Sequence, residues 1–369
     1  MKVVKLSDVV VRANTKEDRN TTTRIYYAAG EQVEPQELLV RKKGIIAEAD
    51  LGPMFYFGFK TGQVLLPSRS FESKKAAVAT YDGICSEKTF VLETKNPSVL
   101  LQEYLVFIIQ NESFWQYAEE NKSGSVNYFL NWSAIANYEF TLPSLSEQKV
   151  LADKLWAAYR VKESYKKLLA ATDDMLKAKF MEMFGEEKNI SLENIAITWS
   201  KGQSFSKNDI VDEGKTPCIH YGQLYKYGYV INNVFSATNA SAKATSTRGD
   251  ILFPASDVTP RGLARCSCID LDGVILGGDI IVMHPREGID PTYLSYAINQ
   301  QTNQLLQLVT GSVVRHMSAK SLKTVKVPLP PLPLQQQFVE IAIQAEATKE
   351  SLRKSIENID QVIKSLINQ

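Results

Sequence analysis

The chain has 369 residues, 44% hydrophobic and 22% charged, which suits a globular protein with two separate cores. The formal net charge is only +1, and residues 1–145 (16 basic, 17 acidic) and 189–326 (13 basic, 11 acidic) are each near neutral. This argues against nucleic-acid binding by bulk phosphate attraction alone, so DNA binding would need local basic patches or partner subunits. No apolar run or signal-like start suggests a membrane protein or an exported one, and we expect a soluble, cytoplasmic chain.

An internal repeat organises the chain. Segments of the first half recur in the same order at an offset of 187 to 190 residues. The matching pairs are GQVLLP (62–67) with GDILFP (249–254), DGICSEKTFVL (82–92) with DGVILGGDIIV (272–282), YLVFIIQN (104–111) with YLSYAINQ (293–300), and Gly-Ser-Val at 124–126 and 311–313. Each copy predicts a variable stretch, a Gly-led apolar strand, one strand beginning with Asp-Gly, a short amphipathic helix, a Gly-Ser-Val loop and a long helix.

Two similar sequence motifs precede the two predicted long helices. LPSLSEQKVL at 142–151 and LPPLPLQQQF at 329–338 precede segments without Gly or further Pro, each predicting a helix of roughly 33 to 38 residues. Ser146-Glu147-Gln148 is expected to cap the first helix. Apolar residues recur every seven positions, in the same register in both copies. The predicted seam comprises Leu155, Tyr165, Leu169, Leu176, Leu352, Ile356, Ile359 and Ile363.

The predicted fold is α+β. Two tandem-duplicated α/β units, residues 1–145 and 187–332, are joined by two long antiparallel coiled-coil helices, residues 146–186 and 333–369, with pseudo-twofold symmetry. An antiparallel pair would carry one unit at each end. The alternative is that each helix packs on its own unit or on another chain.

Catalytic and metal-binding motifs are not found in the sequence. DEGKTP at 212–217 lacks the leading Gly of a phosphate-binding loop. The pairs Cys218/His220 and Cys266/Cys268 each have one intervening residue, whereas zinc half-sites usually have two to four. Both pairs also lie in segments that are predicted to be strands. Four cysteines are too few for a disulfide framework. The sequence therefore predicts a binding protein rather than an enzyme, with no metal or cofactor of its own.

The chain resembles the specificity subunit of type I restriction-modification enzymes. The residues that carry the resemblance are FTLPSLSEQKVLADKL (140–155), GDILFPAS (249–256) and GSVVRHMSAKSLKTVKVPLPPLPLQQQF (311–338), and it covers nearly the whole chain. The second copy departs from the family's Glu-Gln by having Leu334-Gln335. In that family each variable unit is a target recognition domain that reads one half of a bipartite DNA site, and the helices set the distance between the halves.

The same resemblance implies partners and cofactors. Double-stranded DNA and two methyltransferase (M) subunits would bind this chain, and restriction (R) subunits would join through the complex. S-adenosylmethionine, ATP and Mg would be held by those partner subunits and none by this chain. The chain itself would be non-catalytic.

Loops of each recognition unit are expected to supply the DNA contacts. Arg and Lys pair with guanine, Asn and Gln with adenine, and Lys, Arg, Ser and Thr contact phosphates. Candidates in the first unit are Ser68, Arg69, Ser70, Lys74, Lys75, Lys122, Asn127 and Tyr128. Candidates in the second unit are Tyr221, Ser256, Asp257, Thr259, Arg261, Arg265, Arg315 and His316.

Two other functions stay open at this point. The chain could be a freestanding DNA-binding or scaffolding protein with the same fold and no methyltransferase partner, which co-purification of an M subunit would argue against. It could also be a nuclease or methyltransferase with an unrecognised motif. DNA cleavage or S-adenosylmethionine binding by the purified chain would reveal that activity.

Overall fold

The computed structural model describes residues 2–69, 71–204, 207–211 and 213–368. The chain divides into two compact units, one formed by Met1–Leu168 with Leu352–Gln369 and the other by Leu169–Ser351. Each unit contains one copy of the repeat and part of both long helices. Among the described residues, no helix is both long and apolar enough to cross a membrane.

The first unit contains mostly short strands. The strands are β1 (Lys2–Lys5), β2 (Val10–Arg12), β3 (Tyr26–Ala28), β4 (Leu39–Val40), β5 (Gly44–Ile45), β6 (Phe55–Phe59), β7 (Val64–Pro67), β8 (Ala77–Ala79), β9 (Gly83–Ser86), β10 (Thr89–Thr94) and β11 (Glu139–Leu142). The helices are α1 (Leu6–Val9), α2 (Gln102–Gln110), α3 (Glu112–Glu120), α4 (Trp132–Ile135) and the long α5 (Leu145–Phe184), which continues into the second unit.

The second unit repeats this plan. Its strands are β12 (Asn189–Ser191), β13 (Ala196–Lys201), β14 (Ile210–Val211), β15 (Thr216–Ile219), β16 (Val230–Ile231), β17 (Ala237–Thr238), β18 (Ile251–Pro254), β19 (Ser256–Asp257), β20 (Ser267–Ile269), β21 (Ile275–Leu276), β22 (Ile280–Pro285), β23 (Arg315–His316) and β24 (Lys326–Pro328). Its helices are α6 (Leu192–Ile195), α7 (Pro260–Leu263), α8 (Pro291–Asn299), α9 (Thr302–Gln307), α10 (Ala319–Leu322) and the long α11 (Leu332–Ile367).

The main sheets of the two units have the same strand order. The order is β2-β10-β7-β8-β4 in the first unit and β13-β22-β18-β20-β16 in the second. The central strands are continuously apolar because both of their faces are buried. Leu66 of β7 packs into one core and Leu65 into another, and Phe253 and Leu252 of β18 divide between two cores in the same way. The tandem duplication read from the sequence is thus present in the fold.

The Asp-Gly segments differ from the prediction of one strand in each copy. Each forms two strands in different sheets: β9 and β10 in the first unit, β21 and β22 in the second. β9 pairs in parallel with β3, whereas β10 joins the main sheet beside β7. The residues on both sides of the turn are apolar, and two consecutive buried strands have the same sequence pattern as one long strand. The sequence therefore does not reveal that the chain changes sheet at the turn.

The long helices start where the sequence predicted, but with a different cap. Ser144, not Ser146, caps α5: its hydroxyl accepts the Glu147 N–H at 3.4 Å, and the Glu147 carboxylate accepts the Ser144 N–H at 2.8 Å. This is the reciprocal Ser-x-x-Glu capping pair. The helix has 40 residues and ends just before Gly185, whereas α11 has 36 residues.

Gln148 has a different role from capping. Its side chain is fully buried and accepts the Leu101 N–H at 2.9 Å, while its amide donates to the carbonyls of Val99 and Pro143 at 2.9 Å each. Gln335, 187 residues later, accepts the Asp290 N–H at 2.9 Å and donates to Pro330 O at 2.7 Å. In both units this glutamine joins the start of the long helix to the segment before the short helix α2 or α8.

The two long helices pack against each other in opposite directions within each unit. In the first unit the N-terminal part of α5 lies beside the C-terminal part of α11, where Leu155 and Ile363 share a core. In the second unit Phe180 of α5 contacts Phe338 of α11, with ring centroids 5.4 Å apart. Every residue of the predicted seam is buried or half-buried.

Two lysines lie in this seam at equivalent positions. Lys162 is only 6% exposed and its Nζ lies 2.6 Å from an Asp360 carboxylate oxygen. Lys349 is 7% exposed and lies 2.7 Å from Asp173 and 2.7 Å from Glu346. Each buried lysine thus forms an ion pair with a more exposed aspartate of the other long helix.

Candidate nucleic-acid interface

The Gly-Ser-Val segment of each unit forms a tight hairpin, which we call the Gly-Ser-Val hairpin (residues 123–129 and 310–316). Ser123 and Phe129 exchange two backbone hydrogen bonds of 2.9 Å, and Thr310 and His316 exchange equivalent bonds of 3.0 and 2.9 Å. The loops need glycine because Gly124 and Gly311 have φ values of +100° and +92°. A Cβ at Gly311 would also lie 2.3 Å from the Val314 carbonyl oxygen.

Each Gly-Ser-Val hairpin pairs with the segment that leaves the Gly-led strand. In the first unit Arg69 forms a β-bridge with Phe129 just after β7. In the second unit β19 pairs with β23, so that Ser256 lies opposite His316. The strand exit and the hairpin, which the sequence marked as separate candidate loops, therefore form one surface in each unit.

In the first unit this surface holds five of the predicted candidates. Ser68 is buried and its backbone joins Lys88 and Leu130. Arg69 and Asn127 are exposed, and the Lys122 ammonium lies 4.2 Å from the Tyr128 ring centroid. Ser70 lies outside the described residues.

Lys74 and Lys75 contact other elements. The Lys74 ammonium pairs with Glu112 at the start of α3 at 2.5 Å, and the Lys75 ammonium donates to the Gly30 carbonyl at 2.8 Å. Lys74 also has a positive φ of 50°. Both side chains have intramolecular roles that a DNA phosphate would have to displace.

In the second unit six candidates lie together at β19, α7 and β23. The Ser256 hydroxyl lies 3.1 Å from His316 Nδ1, and the Thr259 hydroxyl caps α7 by accepting the Gly262 N–H at 3.1 Å. Arg261 is exposed on α7. These candidates are Ser256, Asp257, Thr259, Arg261, Arg315 and His316.

Asp257 supplies a fixed negative charge on this surface. Burial alone would raise its pKa, but the nearby Tyr225 hydroxyl and hydrogen bonds from Thr259 hold the pKa below its usual value. An ionised carboxylate repels phosphate, but it can accept a hydrogen bond from a cytosine amino group. At the position of Asp257 the chemistry therefore suits a base edge better than a phosphate, whereas Arg261 and Arg315 of the same surface carry positive charge.

The remaining two candidates lie beside Tyr225, which also interacts with Asp257 of this surface. Arg265 donates to the Tyr227 carbonyl at 2.6 Å, which ties it to the segment before β16. Tyr221 begins a short helical turn after β15, with its ring centroid 4.4 Å from that of His220. Arg265 has a packing role in this arrangement.

The Cys218/His220 pair and the Cys266/Cys268 pair do not come together in the structure. Cys218 packs beside Ile275, whereas Cys266 and Cys268 belong to the main core of the unit. Within the described ranges, no group of three or more His, Cys, Asp and Glu side chains could hold a metal ion.

Comparisons with known proteins show which proteins this chain is similar to. Residues 186–361 match the family model described as type I restriction modification DNA specificity domain. The chain is 20% identical over 370 residues to the MjaX specificity subunit assigned to a type I restriction enzyme of Methanocaldococcus jannaschii, covering 92% of this chain and 84% of that one. It is 22% identical over 345 residues to the EcoDI type I restriction enzyme specificity subunit of Escherichia coli, covering 82% and 74%.

Solved structures share the fold. A chain from a study of complex assembly and conformational transition in the type I R-M system matches with a TM-score of 0.60 at 17% identity, covering 99% of this chain and 96% of that one. The type I restriction-modification S subunit from M. genitalium matches with a TM-score of 0.60 at 14% identity, covering 99% and 94%. The resemblance read from the sequence is therefore confirmed: residues 186–361 match the type I DNA specificity domain, and the chain is similar over most of its length to specificity subunits of type I restriction enzymes.

Proposed function

We propose that each unit of this specificity subunit reads one half of a bipartite DNA target, and that α5 and α11 set the spacing between the halves. The observation that carries the proposal is the duplicated surface formed by the strand exit and the Gly-Ser-Val hairpin. Its backbone pairing is equivalent in the two units, an isolated bridge in the first and a two-residue strand pair in the second, whereas its side chains differ: Arg69 occupies the position of Ser256, and Phe129 that of His316. A common scaffold with different polar groups suits two different base sequences.

The chemistry would be done by partners. We propose that methyltransferase subunits dock on this chain, two per chain, and that restriction subunits join through them. S-adenosylmethionine, ATP and Mg would be bound on those partners, and this chain would be non-catalytic. A DNA-binding subunit of this kind would work in the cytoplasm.

The half-site assignment predicts selective effects of single substitutions. Arg69→Ala should weaken or relax recognition of one half-site only, because the exposed guanidinium belongs to one unit. A lost base contact costs about 1–3 kcal/mol. The measurement is the bipartite motif recovered from genome-wide maps of methylated adenines, or from selection of duplexes out of a random pool, with wild-type and variant chains.

Two matched variants complete the design. Arg261→Ala, on the exposed α7 position of the second unit, should affect the opposite half-site. Arg160→Ala, exposed on α5, should leave both halves unchanged. Equal loss at both halves with Arg69→Ala would rule out the half-site assignment, and a target without two separated halves would rule out the proposed function.

A further inference from the structure

A cleft of about 460 Å³ in the first unit concentrates positive charge. It is lined by the end of β2 and the residues after it, by β6, by the turn between β9 and β10, and by residues following the Gly-Ser-Val hairpin. Arg12, Lys16 and Lys88 line it together with one carboxylate, Glu87. Residues 1–145 as a whole are near neutral, so this is a local excess of the kind that DNA binding by such a unit would require.

Aromatic rings hold two of these cations in place. The Arg12 guanidinium lies 4.8 Å from the Phe90 ring centroid and 5.4 Å from that of Phe57. The Lys16 ammonium lies 4.1 Å from the Tyr56 centroid and 4.2 Å from that of Phe57. Cation–π contacts position a charge without neutralising it. Both cations therefore keep their charge for an anion that enters the cleft.

The single carboxylate of the cleft is already engaged. Lys88 Nζ lies 2.7 Å from one Glu87 oxygen, and the Tyr56 hydroxyl donates to the other at 2.6 Å. The lining thus carries three cations against one carboxylate, a surplus of two positive charges. Arg12 also donates to the Glu87 carbonyl at 3.4 Å. Asn14, exposed two residues before Lys16, adds a carboxamide at the same rim.

The second unit has different chemistry at the equivalent position. In the first unit Val64 pairs with Leu92, which pairs with Arg12. In the second, Ile251 pairs with Met283, which pairs with Trp199. Trp199, stacked on Phe253, therefore occupies the place of Arg12. A feature that differs between duplicated units can discriminate between their half-sites.

We propose that this cleft is a DNA contact of the first unit, in which Lys16 binds a backbone phosphate and Asn14 reads a base edge. Ser68, at the exit of β7, lines the same cleft, so the cleft continues the surface of the Gly-Ser-Val hairpin. An asparagine carboxamide can make a bidentate contact with adenine. The inference rests on the proposed function, since it adds a contact to the same DNA-binding unit.

The test is the salt dependence of duplex binding by the full chain. Lys16→Gln should lower affinity about five- to tenfold at 0.1 M salt and should reduce the slope of log K against log salt by about 0.9, the value for one lost phosphate contact. Lys60→Gln, an exposed lysine of the same unit outside the cleft lining, is the matched control and should change neither quantity. The melting temperature of Lys60→Gln should equal that of the wild type, and that of Lys16→Gln should fall by only a few degrees, because the two cation–π contacts of an exposed lysine contribute little stability.

Asn14→Ala tests the reading role separately. Duplexes selected from a random pool should show relaxed preference at one base pair, in one half-site only. If wild type binds the duplex but Lys16→Gln matches the Lys60→Gln control, the cleft proposal fails while the proposed function stands. The same holds if Lys16→Gln weakens only co-purification of a methyltransferase subunit, because the cleft would then take a protein partner. Failure of wild type to bind any duplex would overturn both.

Discussion

At the scale of single residues, the buried glutamine of the repeated LP-x-L-x-x-Q phrase explains why the phrase occurs twice. Gln148 and Gln335 each hold backbone groups that are partly or fully buried and have no regular strand or helix partner. A buried backbone group without a partner is costly, so a side chain with both a donor and an acceptor is needed here. The motif therefore marks the start of each long helix and also the place where that helix is hydrogen-bonded to its recognition unit.

Gln335→Ala should therefore destabilise the second unit by about 1–3 kcal/mol, because the half-buried Asp290 N–H and the buried Pro330 carbonyl would lose their partner. The neighbouring Gln336→Ala is the matched control, since Gln336 is exposed and should change stability by less than about 0.5 kcal/mol. Urea denaturation of both variants measures the difference. Equal stabilities would show that the hydrogen bonds of Gln335 contribute no net stability.

At the scale of elements, the helix pair combines an apolar seam with two buried lysines. A strictly apolar seam tolerates shifts of one heptad, whereas a buried charge must find its partner. Lys162 and Lys349 occupy the same register position 187 residues apart, and each meets an aspartate of the other helix. We interpret these pairs as devices that favour one alignment of α5 against α11.

Asp360→Ala should cost about 1–2 kcal/mol of stability, because it leaves the Lys162 ammonium buried without its 2.6 Å partner. The value is below the 3–5 kcal/mol of fully buried pairs because Asp360 is 48% exposed. Adding Lys162→Met should recover most of the loss, since the unpaired charge is then gone. Chemical denaturation of single and double variants measures both effects.

The equivalent pair in the second unit provides the control. Asp173→Ala should cost less than half as much as Asp360→Ala, because Lys349 keeps Glu346 at 2.7 Å. If the double variant Lys162→Met/Asp360→Ala is no more stable than Asp360→Ala alone, the loss does not come from the buried lysine.

At the scale of the whole molecule, a duplicated unit followed each time by a long helix suits a protein that measures distance along DNA. Lengthening both helices should then lengthen the gap between half-sites. Three heptads inserted after Leu168 and after Lys354 add about 32 Å, close to one turn of DNA. We expect the selected duplexes to keep both half-sites while the gap between them grows by about nine to ten base pairs.

A single heptad at the same two places adds about 10 Å, or roughly three base pairs, and should weaken binding because the second half-site would face another side of the duplex. Selection from a random pool with each variant gives the gap directly. A gap that stays unchanged in the three-heptad variant would show that the helices do not set the spacing.

The sequence by itself determined the duplication, the α+β class, both long helices with their seam, and the resemblance to type I specificity subunits. These features depend on local patterns: heptads, apolar strand words and positions where glycine is required, all of which can be read within a few tens of residues. The Gly-Ser-Val loops were found for this reason, since Gly124 and Gly311 are needed whatever lies around them.

Only the tertiary structure decided which polar residues are engaged by other groups of the chain and which line an open surface. The sequence predicted Lys74 and Arg265 as DNA contacts, but Glu112 and the Tyr227 carbonyl engage them. The sequence did not predict Lys16, which lines a basic cleft with Lys88. Partners such as these are tens of residues apart in the chain. The local sequence around a polar residue is the same whether its side chain is solvated or paired. Long-range packing selects the partner, so the role of each polar residue is a property of the folded chain.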